Sequence, residues 1–143
     1  MTILDTNVFS ELMKEKPEPR VLSWLDALAA DSVWTTAVTV FEIQHGLGIL
    51  ADGRKRRALM MAFQEVLRDE LGGRVLDFNS IAATEAAAIA VKLRGAGSPV
   101  EVRDVMIAGT VAAHSGSTLA TRNTKHFLST GIALVDPWSS SAP

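Results

Sequence analysis

Five short apolar runs recur along this chain, each separated from the next by a longer stretch with helical patterning. Ile3-Leu4, Val33-Trp34-Thr35-Thr36, Val75-Leu76-Asp77-Phe78, Thr118-Leu119-Ala120-Thr121 and Ala133-Leu134-Val135 read as strands. Helical segments are expected at 7–14, 18–29, 39–50, 54–71, 80–95 and 102–115. The stretch 81–94 is rich in alanine, the best helix former, and 95–99 punctuates its end with glycine and proline. Strands that alternate with helices pair in parallel and carry helices on both faces. The fold class is therefore α/β, a three-layer α/β/α sandwich around a parallel sheet of four to five strands. A chain of 143 residues fits one domain. That domain is assigned to residues 1–138, with 139–143 expected to form a flexible tail of small and polar residues.

Composition narrows the chemistry. Hydrophobic residues make up 48% and charged residues 21%, the balance of an ordered globular protein. The chain has no cysteine, so disulfides and thiolate zinc sites are excluded, and a reducing cytoplasm is the expected location. A first strand within a few residues of Met1 leaves no room for a signal peptide. Charges interrupt every apolar stretch before about 18 residues, so no membrane span is expected. A net charge of −2 works against bulk attraction to nucleic acid, but local charge decides such binding.

The acids carry the functional signal. Of sixteen, Glu11, Glu15, Glu18, Asp26, Asp31, Asp52, Glu65, Asp69, Glu70 and Asp136 lie among polar neighbours and are expected to be solvated. Three others have apolar surroundings. Asp5 follows the first strand, Glu42 lies in AVTVFEI and Asp104 in VRDVMIA. Strand C-termini and helix N-termini share one edge of an α/β sandwich, and ligands bind outside that edge. Asp5 belongs at a strand end, Glu42 and Asp104 in the first turns of helices, and Asn123 directly after another strand. All four reach the same edge.

Each acid also has a plainer reading. Thr39-Val40-Phe41-Glu42 and Ser98-Pro99-Val100-Glu101 both fit a capping box. The second would start its helix anywhere between 98 and 103. Asp104 could complement a helix dipole, and Asp5 could cap a helix beginning near Asn7. Together, though, three carboxylates on one edge repel one another, and a divalent cation relieves that repulsion. Mg²⁺ or Mn²⁺ takes oxygen ligands, acidifies bound water and stabilises the charge of a phosphodiester transition state.

The blocks ILDTNVFSEL, TTAVTVFEIQHGL, SPVEVRDVMIAGTVAAHSG, TLATRNTKHF and VDPW, in that order, resemble the PIN-domain endoribonucleases, specifically the VapC or FitB type of toxin from bacterial toxin–antitoxin pairs. The similarity runs nearly end to end. It implies a catalytic set of Asp5, Glu42, Asp104 and Asn123, with the metal on Asp5, Glu42 and Asp104. Asn123 stands where many PIN domains have a fourth acid, which leaves the site less negative. Thr6 and Asn7 match positions that support the site through hydrogen bonds. The resemblance further implies Mg²⁺ or Mn²⁺, an RNA substrate cut by a metal-activated water, a homodimer, and a VapB- or FitA-like antitoxin that blocks the groove.

Beside Asn123, Arg122 is the best-placed phosphate contact. Arg54-Lys55-Arg56-Arg57 either meets RNA or antitoxin or is a solvated helix start. His126 falls where relatives commonly have Asp, and either meets RNA or sits on the surface. His45, one turn past Glu42, either touches substrate or is structural, and His114, at a helix end, is assigned no function. Trp24, Trp34 and Trp138 read as core or interface anchors. The stripe Leu59, Met60, Phe63, Val66, Leu67 packs on the sheet or receives a partner. Two rival functions differ in class. One is a phosphatase that phosphorylates Asp5, which needs a second acid where Asn7 stands. The other is a PIN module that binds RNA or an antitoxin–operator complex without cutting.

Overall fold

The computed structural model describes residues 1–139. Five parallel strands form one sheet: β1 (Thr2–Leu4), β2 (Val33–Thr36), β3 (Val75–Leu76), β4 (Thr118–Ala120) and β5 (Ala133–Val135), in the order β3-β2-β1-β4-β5. The sandwich and its parallel sheet are as the alternation requires. The strand order, which the sequence left open, puts β1 at the centre. In register, Leu4 pairs with Thr35 on one side and Ala120 on the other. The chain segments that follow β1, β2 and β4 therefore leave the sheet side by side.

Seven α-helices among the described residues flank the sheet: α1 (Thr6–Leu12), α2 (Pro19–Asp26), α3 (Ala37–Gly48), α4 (Arg54–Glu65), α5 (Ser80–Gly95), α6 (Val102–Ala112) and α7 (Thr124–Phe127). Alternation along each strand feeds two cores. Leu4 and Ala120 face a cluster with Val8, Phe9, Val21, Trp24 and Phe63. Ile3 and Leu119 face the opposite cluster with Ile107, Ala108, Val111 and Phe127. Val8 and Phe9 are fully buried. At about 1.5–3 kcal/mol for each large apolar side chain buried, they pin the first turn of α1 onto the sheet.

Several boundaries differ from the sequence expectation. The stretch 54–71 is not uniform, because after Glu65 it widens into a π-helical turn at Val66–Glu70. The third and fourth strands stop early, leaving Asp77, Phe78 and Thr121 beyond the ladder. Residues 124–130, not foreseen as helical, form α7 and a 3-10 turn, and Phe127 buries its ring in the second core. Glu11, expected in solvent, is 6% exposed. Its carboxylate is held by Lys14 Nζ at 2.9 Å and the Glu18 N–H at 3.2 Å. Of the expected tail, residues 140–143 lie outside the described residues. No helix among the described residues is long and apolar enough to cross a membrane.

Candidate active site

Asp5 ends β1 and caps α1, so its side chain turns back over the sheet edge. It is 4% exposed. Oδ1 accepts the Thr6 N–H at 2.8 Å, while Oδ2 accepts the Thr121 hydroxyl at 2.7 Å and the Asn7 amide at 3.1 Å. An ionised carboxylate has about four lone-pair sites, so acceptor capacity is left over for a ligand. Asn7 also donates to Thr121 Oγ1 at 3.2 Å, and its own carbonyl oxygen accepts the Arg122 N–H at 3.0 Å. The Asn123 N–H donates to Thr121 Oγ1 at 3.0 Å. With Asn7 serving as a donor to Asp5, the second acid of an aspartyl-phosphate enzyme is missing from the position where it would act.

Glu42 arrives from α3. That helix begins at Ala37, and its cap is Thr36, whose hydroxyl oxygen accepts the Thr39 N–H at 3.0 Å. The expected capping box from Thr39 to Glu42 is therefore absent, and Glu42 lies in the second turn rather than the first. The early cap wins because Thr36 is the last residue of a strand and already extended. Glu42 is freed to face α1, where its Oε1 accepts the Thr6 hydroxyl at 3.0 Å. That hydroxyl also lies 3.2 Å from Thr39 Oγ1.

Asp104 sits in the first turn of α6. Glu101 caps that helix by accepting the N–H groups of Arg103 and Asp104 at 3.1 and 3.4 Å. This fixes the start that the sequence left between 98 and 103 and frees Asp104 from capping. Two basic side chains flank the acids without closing on them. Arg103 Nη1 stands 3.9 Å from Glu42 Oε2, and His126 Nδ1 stands 3.9 Å from Asp104 Oδ2. Both are too long for hydrogen bonds.

The carboxylates feel one another. Burial pushes the Asp5 carboxyl above its ordinary value, against the hydrogen bonds from Thr121, Thr6 and Asn7, and the Glu42 charge pushes the same way. Burial also raises Asp104, aided by the charges of Asp5 and Glu101 and opposed by His126 and Arg103. Buried, mutually repelling carboxylates suit a divalent cation. Among the described residues no three acidic or histidine groups converge into a closed ligand cage. An all-oxygen donor set of this openness fits a hard ion that keeps several of its waters.

Asn123 and Arg122 follow β4 at the same edge, both exposed. The Asn123 side chain makes no hydrogen bond among the described residues, while the Arg122 guanidinium lies 4.9 Å over the Trp138 ring. Sequence reasoning missed Thr121, Thr39 and Arg103. Thr121 was readable as a strand residue but its role depends on β4 lying beside β1. Arg103 gave a signal in its adjacency to Asp104. His45 stacks on Phe41 at 5.7 Å, and His114 Nδ1 meets the Thr110 carbonyl oxygen at 2.8 Å, both local structural contacts.

Comparison with known proteins decides the family, because the PIN domain family matches residues 2–132. The chain belongs to the PIN-domain family. Within it, this PIN domain is 35% identical to VapC ribonuclease Y4jK of Sinorhizobium fredii, over 96% of this chain and 98% of that one. It is 35% identical to Toxin FitB of Neisseria gonorrhoeae, over 96% of this chain and 99% of that one. Among solved structures, FitAB bound to an IR36 DNA fragment has a chain with a TM-score of 0.87 to this PIN domain. Identity there is 34%, covering 99% of this chain and 98% of that one.

Proposed function

We propose that this PIN domain is a divalent-metal-dependent endoribonuclease, the toxin of a type II toxin–antitoxin pair. One observation carries the reading. Asp5, Glu42 and Asp104, remote in sequence, lie along one sheet edge near enough for Asp5 to feel the charge of Glu42 and Asp104 that of Asp5, and burial raises both aspartates. The names of its relatives, a VapC ribonuclease and a FitB toxin, support the same reading.

Asp5, Glu42 and Asp104 would hold Mg²⁺ or Mn²⁺. When bound, such an ion acidifies water and offsets charge on a phosphodiester. The chain supplies the rest. Thr6 orients Glu42, while Thr121 and Asn7 orient Asp5. Arg103, beside Glu42, and Arg122, after β4, offer guanidinium groups to the RNA backbone. Asn123 presents a neutral amide at the rim. The partner would be a VapB- or FitA-like antitoxin. A cavity of about 600 Å³ between the end of α1 and α4 has an apolar floor of Leu12, Met13, Leu59, Ala62 and Val66 and a charged rim that includes Lys14, Lys55, Glu65 and Asp69, and would be a second contact for it beside the groove.

The test is purified, antitoxin-free protein with total RNA, in Mn²⁺ or Mg²⁺ and in EDTA, beside Asp5→Asn. Discrete cleavage that requires the ion and vanishes in the variant is the expected result. A second reading, a PIN module that binds RNA or an antitoxin–operator complex without cutting, is favoured by the open spacing of the acids. RNA retained by folded protein but left whole in both ions would establish that reading instead.

A further inference from the structure

Trp138 was read from the sequence only as an anchor, and the structure gives it a more specific setting. It packs partly buried against the first core, and the Arg122 guanidinium rests over its ring at 4.9 Å. Its carbonyl oxygen accepts from Arg20 Nη1 at 3.3 Å, and its N–H donates to Asp136 Oδ1 at 2.9 Å, so its backbone is held at both ends. The Arg122 backbone is tied in turn to Asn7, which holds Asp5. The ring, the guanidinium and the first acid thus form one connected series.

Arg122 and Trp138 border a cavity of about 370 Å³ with Lys14, Lys16, Glu11 and Glu18. Cations outnumber acids there by one. Glu11 is already satisfied by Lys14 and the Glu18 N–H, and Arg122 has no carboxylate within 4 Å among the described residues. A cationic recess that tracks the phosphate backbone is what single-stranded nucleic acid binders use, and here the cation–π contact with the Trp138 ring holds the guanidinium that faces it.

We propose that this cavity is a subsite for the nucleotide flanking the scissile phosphate. In it Arg122 contacts the RNA backbone, and Trp138 is the positioning residue that holds the guanidinium in place. The proposal rests on the ribonuclease reading and adds to it the side on which the RNA leaves the acids.

The experiment compares wild type, Arg122→Gln, Trp138→Leu, Trp138→Phe and Asp5→Asn. Each is tested for binding a fluorescein-labelled single-stranded RNA of about 12 nucleotides, in EDTA and over a range of KCl. Cleavage of the same RNA is then followed in Mn²⁺. Arg122→Gln and Trp138→Leu are expected to weaken binding about tenfold, with the cleavage loss falling mainly on KM. Arg122→Gln also lowers the salt slope by about 0.7, the loss of one phosphate contact. Trp138→Phe, which keeps a π face, recovers most of the binding. If both variants bind and cleave as wild type does while Asp5→Asn is inactive, the subsite is wrong and the nuclease reading stands. If the wild type cleaves nothing and binds no RNA, both fall. Should Trp138→Leu fail to fold, Arg122→Gln alone decides.

Discussion

Thr121 donates its hydroxyl to Oδ2 of Asp5 across 2.7 Å, although 116 residues separate them in the chain. The bond exists because β4 lies directly beside β1, with Ala120 opposite Leu4, so the residues that follow each strand leave the sheet together. Thr121 Oγ1 also accepts from Asn7 and from the Asn123 N–H. Replacing it with valine keeps the shape, leaves the buried Asp5 carboxylate and the half-buried Asn7 amide each one partner short, and removes the partner of the Asn123 N–H. Thr121→Val should lower stability by about 1–3 kcal/mol, and Thr121→Ser should recover most of it. A shift of the urea midpoint at constant slope is the measurement, and an unchanged midpoint would sink the argument.

Thr6 plays the corresponding part for Glu42. Its hydroxyl fixes Oε1, while the far oxygen faces Arg103 at 3.9 Å. Removing a group that orients a metal-ligating side chain costs about 10- to 100-fold in metal affinity or activity. Thr6→Val should therefore weaken Mn²⁺ binding by that factor, read by titration calorimetry, while Glu42→Gln should lose more. Equal Mn²⁺ affinity in Thr6→Val and wild type would show that Glu42 needs no such support.

The raised carboxyls make the metal-free protein sensitive to pH. In the unfolded chain Asp104 titrates near its ordinary 3.8, but in the folded chain it titrates higher, first through burial and then through Asp5 and Glu101. Between those two values the folded state binds more protons than the unfolded one, so stability falls as pH rises through the window. Below 3.8 both states are protonated and the penalty is absent. Asp104→Asn should thus be more stable than wild type at neutral pH without metal, and the gain should disappear towards acid. Mn²⁺ should raise the melting temperature of wild type and do so less for the variant. Parallel melting curves at every pH, with no metal effect on either protein, would contradict the proposed site.

Much of this was legible in the sequence, for identifiable reasons. Asp5, Glu42 and Asp104 stand out because acids in apolar runs need a cause, and the strand–helix alternation sends them to one edge. The contacts that orient them were not legible. Thr121 on Asp5 requires knowing that β4 neighbours β1, and Thr6 on Glu42 requires α1 and α3 to meet. Glu11 looked solvated because its polar neighbours hide that the chain folds over it. The start of α3 was misplaced because two threonines three residues apart can both cap, and only the end of β2 chooses between them. Local patterning reveals which residues need explaining, whereas strand order decides what explains them.

Asp104 is placed by packing as well as by its cap, through the crossing of α5 and α6. Gly109 of α6 lies so close to α5 that an added Cβ would stand 2.5 Å from Ala86 Cβ and 2.6 Å from both Ala82 O and Ala86 N. Two of those three atoms are backbone and cannot move aside. Gly109→Ala should therefore cost at least the ~1–3 kcal/mol typical of overpacking, despite alanine's better helix propensity. Since α6 must shift to relieve the contact, Asp104 should move with it and Mn²⁺ affinity should fall alongside the melting temperature. Adding Ala86→Gly removes only the side-chain contact, so the double variant should recover part of the loss and no more. Full recovery would mean that the backbone of α5 yields more readily than this close crossing implies.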